Sequence, residues 1–207
     1  MERKKYLMID TEAIGFTGKS YQDCIVYNLG AVVTDKQGEV YCEKGFIFLD
    51  NIVRNLKRFD SSFLRKKIVS LFQSPEYEAV DFIEGRKILL KMIDEFNIQG
   101  IIMQNAEFDY NALNATMRNN GFCDKFFPIT MPIFDLVLMA RDTIGKQKTY
   151  GKQFEGAVSV STKYLYPYII GNKPVAHLAL DDAKQQVKIW ERINRQHKKM
   201  NKFFMKG

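Results

Sequence analysis

The apolar positions of this 207-residue chain change their period several times, and each change marks an element. Residues 6–9 form an unbroken apolar run ending in Asp10, the pattern of a buried strand with a carboxylate at its C-terminal end. Residues 24–34 are rich in Ile, Val, Tyr and Leu, residues 35–38 have turn chemistry, and residues 40–49 alternate loosely with aromatics. The two runs predict a hairpin, so the first three strands form an antiparallel meander.

Helical spacing follows. Between residues 52 and 72, Leu56, Phe59, Phe63, Ile68 and Leu71 approximate it, with Arg and Lys filling the gaps. A stronger helical pattern over 78–96 is carried by Phe82, Ile88, Leu89, Met92 and Phe96. A short strand at 100–103 precedes a helix predicted for 106–119 and closed by Gly121. Residues 132–134 read as a brief strand ending in Asp135, and residues 145–156 as a polar loop. Residues 158–170 read as a helix stopped by Gly171-Asn172-Lys173-Pro174, and residues 180–193 as a last helix with Ala183, Val187 and Trp190 on one face. The order predicts an α/β fold with a mixed sheet, built as one domain over 1–195 with a basic tail over 196–207.

The formal net charge of +7 favours a polyanionic partner, and the basic residues concentrate between Arg54 and Lys67 and in the tail from Arg192 to Lys206. The tail also carries Phe203 and Phe204, so it joins charge to stacking surface. Three cysteines, none at metal-ligand spacing, fit free thiols in a reducing compartment. No signal peptide is visible and charge breaks every apolar stretch, so a soluble cytoplasmic protein with no membrane partner is expected.

Three segments carry chemistry. Asp10 and Glu12 alternate across Thr11 and project from one side of a strand end, where two acids can grip a hard cation. Asp109 sits about one turn into a helix that follows a parallel strand, above Leu113. His177 follows the Gly/Pro loop, with Asp181 and Asp182 opening the last helix. Taken singly, each has an ordinary structural explanation: a solvated strand end, an acid favoured by a helix dipole, a surface histidine.

Together, in this order, they resemble the DEDDh exonucleases, a branch of the ribonuclease-H-like superfamily that includes proofreading subunits, oligoribonuclease and ribonuclease T. Ile9-Asp10-Thr11-Glu12 matches the family's first motif, Asn105-Ala106-Glu107-Phe108-Asp109 its second, and His177 with Asp182-Ala183 its third. Choosing Asp182 over Asp181 rests on the four residues that separate it from His177. Gln104 stands where the family usually has histidine, and Ala13-Ile14-Gly15 replaces Thr-Thr-Gly. The tyrosine of the sister branch is not matched, since Leu178 holds that position.

The resemblance implies a three-layer fold whose five-stranded mixed sheet, an antiparallel meander and then two parallel strands, is flanked by helices. It implies two divalent cations, Mg²⁺ or Mn²⁺, held by Asp10, Glu12, Asp109 and Asp182, with His177 as base. Thr11, Ala13, Ile14, Phe16 and Asn105 would contact substrate: the backbone at Thr11 and the Ile14 side chain against the terminal nucleotide, Phe16 as a stacking platform. The expected activity is 3′→5′ hydrolysis of single-stranded DNA to nucleoside 5′-monophosphates. An exoribonuclease of the same fold and a catalytically silent nucleic-acid-binding module are the alternatives. A DNA polymerase is a candidate partner, and the oligomeric state is left open.

Overall fold

The chain is described here from a computed structural model covering residues 3–123, 125–147, 149–150, 161–171 and 178–204, with backbone alone for 162–163 and 197–204. Its first strand, β1 (Lys5–Ile14), lies at the centre of a mixed sheet. It pairs antiparallel with β2 (Ile25–Asp35), which pairs antiparallel with β3 (Val40–Phe48). On its other side β1 pairs parallel with β5 (Ile98–Met103), and β5 with the short β6 (Ile133–Asp135). Every position of β2 is buried, which suits its apolar composition and a strand covered on both faces.

The meander and the two parallel strands match the expectation, but among the described residues the sheet has six strands, in the order β4-β3-β2-β1-β5-β6. The additional one, β4 (Tyr77–Val80), pairs parallel with the end of β3 at the sheet edge. The helix expected from residue 78 therefore starts only at Phe82, after Asp81, and runs to Glu95 as α3.

The helical pattern over 52–72 resolves into three pieces: α1 (Leu49–Arg54), a 3₁₀ turn (Leu56–Phe59) and α2 (Ser62–Gln73). The break before α2 has a local cause, because Ser61 caps the helix by accepting from the Leu64 N–H. Helix α4 (Ala106–Asn119) ends as expected, with Gly121 at φ +83° beyond it. Helix α5 (Leu136–Asp142) is capped by Asp135 at the end of β6, and α6 spans Thr162–Ile170. The last helix, α7 (Ala179–Phe204), extends eleven residues past the expected end at 193.

Strand alternation divides the core into layers. Leu7 and Ile9 face α3 and α4, packing with Phe82, Leu89, Met92, Leu113 and Met117. Tyr6 and Met8 face the other way, toward α5, α6 and α7, with Leu136, Leu165, Leu180, Val187 and Trp190. A third cluster, with Ile14, Tyr27, Ile47, Phe59 and Leu71, lies under α1 and α2. No helix among the described residues is long and apolar enough to cross a membrane.

Candidate metal centre

The alternation that buries Tyr6 and Met8 on the α7 side carries Asp10 and Glu12 to that side as well. A register shift between Glu12 and Ala13 then interrupts the ladder with β2, the kind of irregularity that re-aims side chains at a strand end.

Helix α7 reaches these acids because the sheet is hollowed beneath its first turn. Asp10 pairs in register with Gly30, Gly30 with Gly45, and Gly45 with Tyr77, so one row crosses four strands with two glycines in the middle. A Cβ on Gly30 would lie 2.3 Å from backbone atoms of Ala179 and Leu180, and one on Gly45 would lie 2.7 Å from the Tyr77 ring. The helix start sinks into this trough and is held at both sides. The Ala179 N–H donates to Asn28 Oδ1 at 3.0 Å, and the Leu180 N–H to the Tyr77 hydroxyl at 2.8 Å. Lys184 adds ion pairs to Glu43 (3.2 Å) and Glu76 (2.6 Å).

Asp182 thereby joins the two strand acids: one carboxylate oxygen from each of Asp10, Glu12 and Asp182 lies within 4.8 Å of the others. Asp181 is not in the group; it sits near Glu76 and Lys184. Asp109 is also buried, but its Oδ1 accepts from the Thr11 N–H (2.9 Å) and hydroxyl (2.7 Å) instead of completing the group. Of the four expected carboxylates, three share one pocket and the fourth stands against the intervening threonine.

The electrostatics are those of a site short of positive charge. Burial pushes the Asp10 carboxyl well above its usual range, and the fields of Asp109, Asp182 and Glu12 push further, against a hydrogen bond from Gln186. Burial likewise pushes Asp109 up to about 7, although both bonds from Thr11 oppose it. An all-carboxylate donor set suits hard divalent cations such as Mg²⁺ or Mn²⁺, which would relieve this repulsion. The residues present therefore fit such ions.

Two residues at the site escape notice in the sequence. Gln186 donates to Asp10 Oδ1 at 2.6 Å, and its own Oε1 is buried without a hydrogen-bond partner among the described residues. Its signal was the four-residue spacing from Asp182, which places both on one face of α7. Lys67 pairs with Glu12 at 2.5 Å, hidden in the sequence within a run of surface-like basic residues.

The expected substrate residues are placed unevenly. Phe16 is 41% exposed, stacked on Tyr21 (4.9 Å between ring centroids) and edge-on to Phe108 (5.4 Å), with Tyr21 in the field of Glu107 and Asp109. Asn105 is exposed before α4, and Ala13 is half-buried. Ile14 is only 8% exposed and packs into the third core cluster. The Thr11 backbone N–H donates to Asp109 Oδ1. His177 and the tail residues 205–207 lie outside the described residues.

The mixed six-stranded sheet and its flanking helices share their fold with solved exonuclease structures. The solved structures that share it include exonuclease I of E. coli. The complex with a 5cy-dT13 oligonucleotide matches at TM-score 0.59 and 13% identity over 99% of this chain and 43% of that one. A second E. coli complex, with a dT13 oligonucleotide, matches at 0.58 and 13% over 98% and 44%. Exonuclease I with SSB and the inhibitor CFAM matches at 0.60 and 10% over 99% and 44%. The chain thus spans less than half the length of exonuclease I. No protein-family model matches the sequence, and no curated protein matches it.

Proposed function

We propose that the chain is a metal-dependent 3′→5′ exonuclease that removes nucleoside 5′-monophosphates from single-stranded DNA. The observation that carries this reading is the meeting of Asp10, Glu12 and Asp182 from remote segments, with oxygens within 4.8 Å of one another. The fold shared with exonuclease I, which is seen with dT13 oligonucleotides, supports the direction and the substrate.

In this reading Asp10, Glu12 and Asp182 would hold two divalent ions, with Asp109 joining them from its place against Thr11. The chemistry such ions would supply there is activation of water and neutralisation of charge on the leaving oxygen. Gln186 orients Asp10, and the turn of α7 pinned by Asn28 and Tyr77 fixes Asp182. His177 takes the proton of the attacking water as general base. Phe16, with Tyr21 and Phe108, offers a stacking surface for terminal bases, and Asn105 and Ala13 are further substrate contacts. The exposed basic residues of α1 and α2 and the tail over 196–207 track the phosphate backbone. Free Cys24, Cys42 and Cys123 suit the reducing cytoplasm.

The test is incubation with end-labelled single-stranded DNA and RNA of one sequence, each with Mg²⁺, Mn²⁺ or chelator. The expected result is a ladder shortening from the 3′ end of DNA, absent with chelator and absent for His177→Ala. A preference for RNA would move the assignment to an exoribonuclease. Metal-independent or internal cleavage, or full turnover by Asp10→Ala, would overturn it.

A further inference from the structure

The basic residues of α2 do not all behave alike. Arg65 is largely exposed and pairs with the exposed Asp60, and Lys66 faces outward. Lys67 turns inward: only 8% of its side chain is exposed, and its Nζ lies 2.5 Å from Glu12 Oε1. A buried ammonium is tolerated only where a counter-charge compensates its lost hydration. Here the counter-charge is one of the three carboxylates that converge within 4.8 Å.

With an ammonium at this distance, part of the Glu12 charge that a divalent ion would draw on is already neutralised. The two cations also repel each other at a shared carboxylate. We propose that Lys67 competes with a divalent cation for Glu12, and that the ammonium so displaced binds an anionic phosphodiester that reaches the same carboxylates. This rests on the metal-dependent nuclease reading and adds to it a residue that exchanges one anion for another. Metal and substrate then favour each other's binding, because the metal frees Lys67 and the phosphate gives it a new partner. Lys67 can make this exchange because its long stem packs in the protein while the head group needs to move only between neighbouring anions.

The experiment is Mn²⁺ titration of the full chain without nucleic acid, in wild type, K67M, K67R and D10N. It is paired with single-stranded oligonucleotide binding in Ca²⁺, read by fluorescence anisotropy. K67M should bind Mn²⁺ roughly tenfold more tightly, about 1.4 kcal/mol, while its oligonucleotide affinity falls by a similar factor. K67R should stay close to wild type in both. Unchanged or weaker Mn²⁺ binding by K67M would overturn the competition. Tighter Mn²⁺ with unaltered oligonucleotide affinity would overturn the transfer to phosphate. If wild type and D10N bind Mn²⁺ equally, the metal-centre reading itself fails and the exchange falls with it. Thermal melting checks the fold. Should K67M melt early, K67Q tests the charge alone: its amide can still donate to Glu12 but does not repel a cation, so Mn²⁺ should bind more tightly than in wild type, and no tightening would overturn the competition.

Discussion

Two places among the described residues bury aspartate, and they treat it in opposite ways. At the end of β2, Asp35 is 1% exposed. Its two oxygens accept from Arg3 (2.9 Å), Tyr41 (3.2 Å) and the backbone N–H groups of Gln37 (2.7 Å) and Glu39 (3.1 Å). Burial pushes its pKa up, but Arg3, the two N–H groups and Tyr41 outweigh that, and the net shift is downward. At the end of β1, Asp10 and Asp109 also accept hydrogen bonds, yet their carboxyls are pushed up by burial, with neighbouring carboxylates adding to the effect. Burial alone therefore does not distinguish a structural carboxylate from a functional one. A turn supplies its aspartate with donors from nearby in the chain, whereas the acids at β1 are brought against one another by segments remote in sequence.

The comparison can be broken most directly at Asp10. Asp10→Asn should lower hydrolysis by about three orders of magnitude or more, the scale seen when one member of a catalytic unit is lost. It should also raise the melting temperature in chelator, because it removes a charge that burial disfavours. A variant that melted lower and still degraded DNA would erase the distinction. Asp35→Ala should do the reverse: a loss of about 2–3 kcal/mol in urea unfolding, from N–H groups left unpaired, with activity per folded molecule unchanged.

The pH dependence sharpens the same contrast. Asp109 is raised in the folded state, so its contribution to metal-free stability is complete below about pH 4. That contribution is lost as pH climbs through about 7. Asp35 is lowered, so its contribution is present above about pH 4 and is lost as pH falls. Melting in chelator should therefore peak at mildly acid pH, and saturating Mg²⁺ should raise the melting temperature more at pH 8 than at pH 5. Equal gains at both would argue against ions at these carboxylates.

Smaller effects follow. Tyr77→Phe removes the acceptor for the Leu180 N–H and should cost about 1 kcal/mol, with weaker Mn²⁺ binding because Asp182 loses its fixed approach. Arg3→Ala should barely move the urea midpoint, since the Arg3 side chain is 58% exposed and the N–H donors remain.

Elements with strong local patterns were readable in advance. The apolar run at 6–9 and the stop at Gly121 depend on residues close in sequence, and both lie where their periods predict. The miss at Tyr77–Val80 has the opposite cause. Four partly exposed residues show no period of their own, and they become a strand only by pairing with Gly45–Phe48. That strand supplies the tyrosine that pins α7, so the element hardest to read helps to place Asp182. Lys67 was unreadable for a similar reason, because nothing in a basic run marks which cation turns inward. The orientation of Asp109 toward Thr11 depends on how α4 packs against β1, 98 residues apart in the chain.

Composition, period and motif order were enough to specify an α/β chain, its meander, and the carboxylates that end its central strand, because these are properties of residue type and near-neighbour spacing. Folding in three dimensions decided the row from Asp10 through Gly30 and Gly45 to Tyr77, the separation of Asp182 from Asp181, and the capture of Glu12 by Lys67. Those features come from strand register and from the close approach of helix to sheet, and both are fixed only when distant segments pack together.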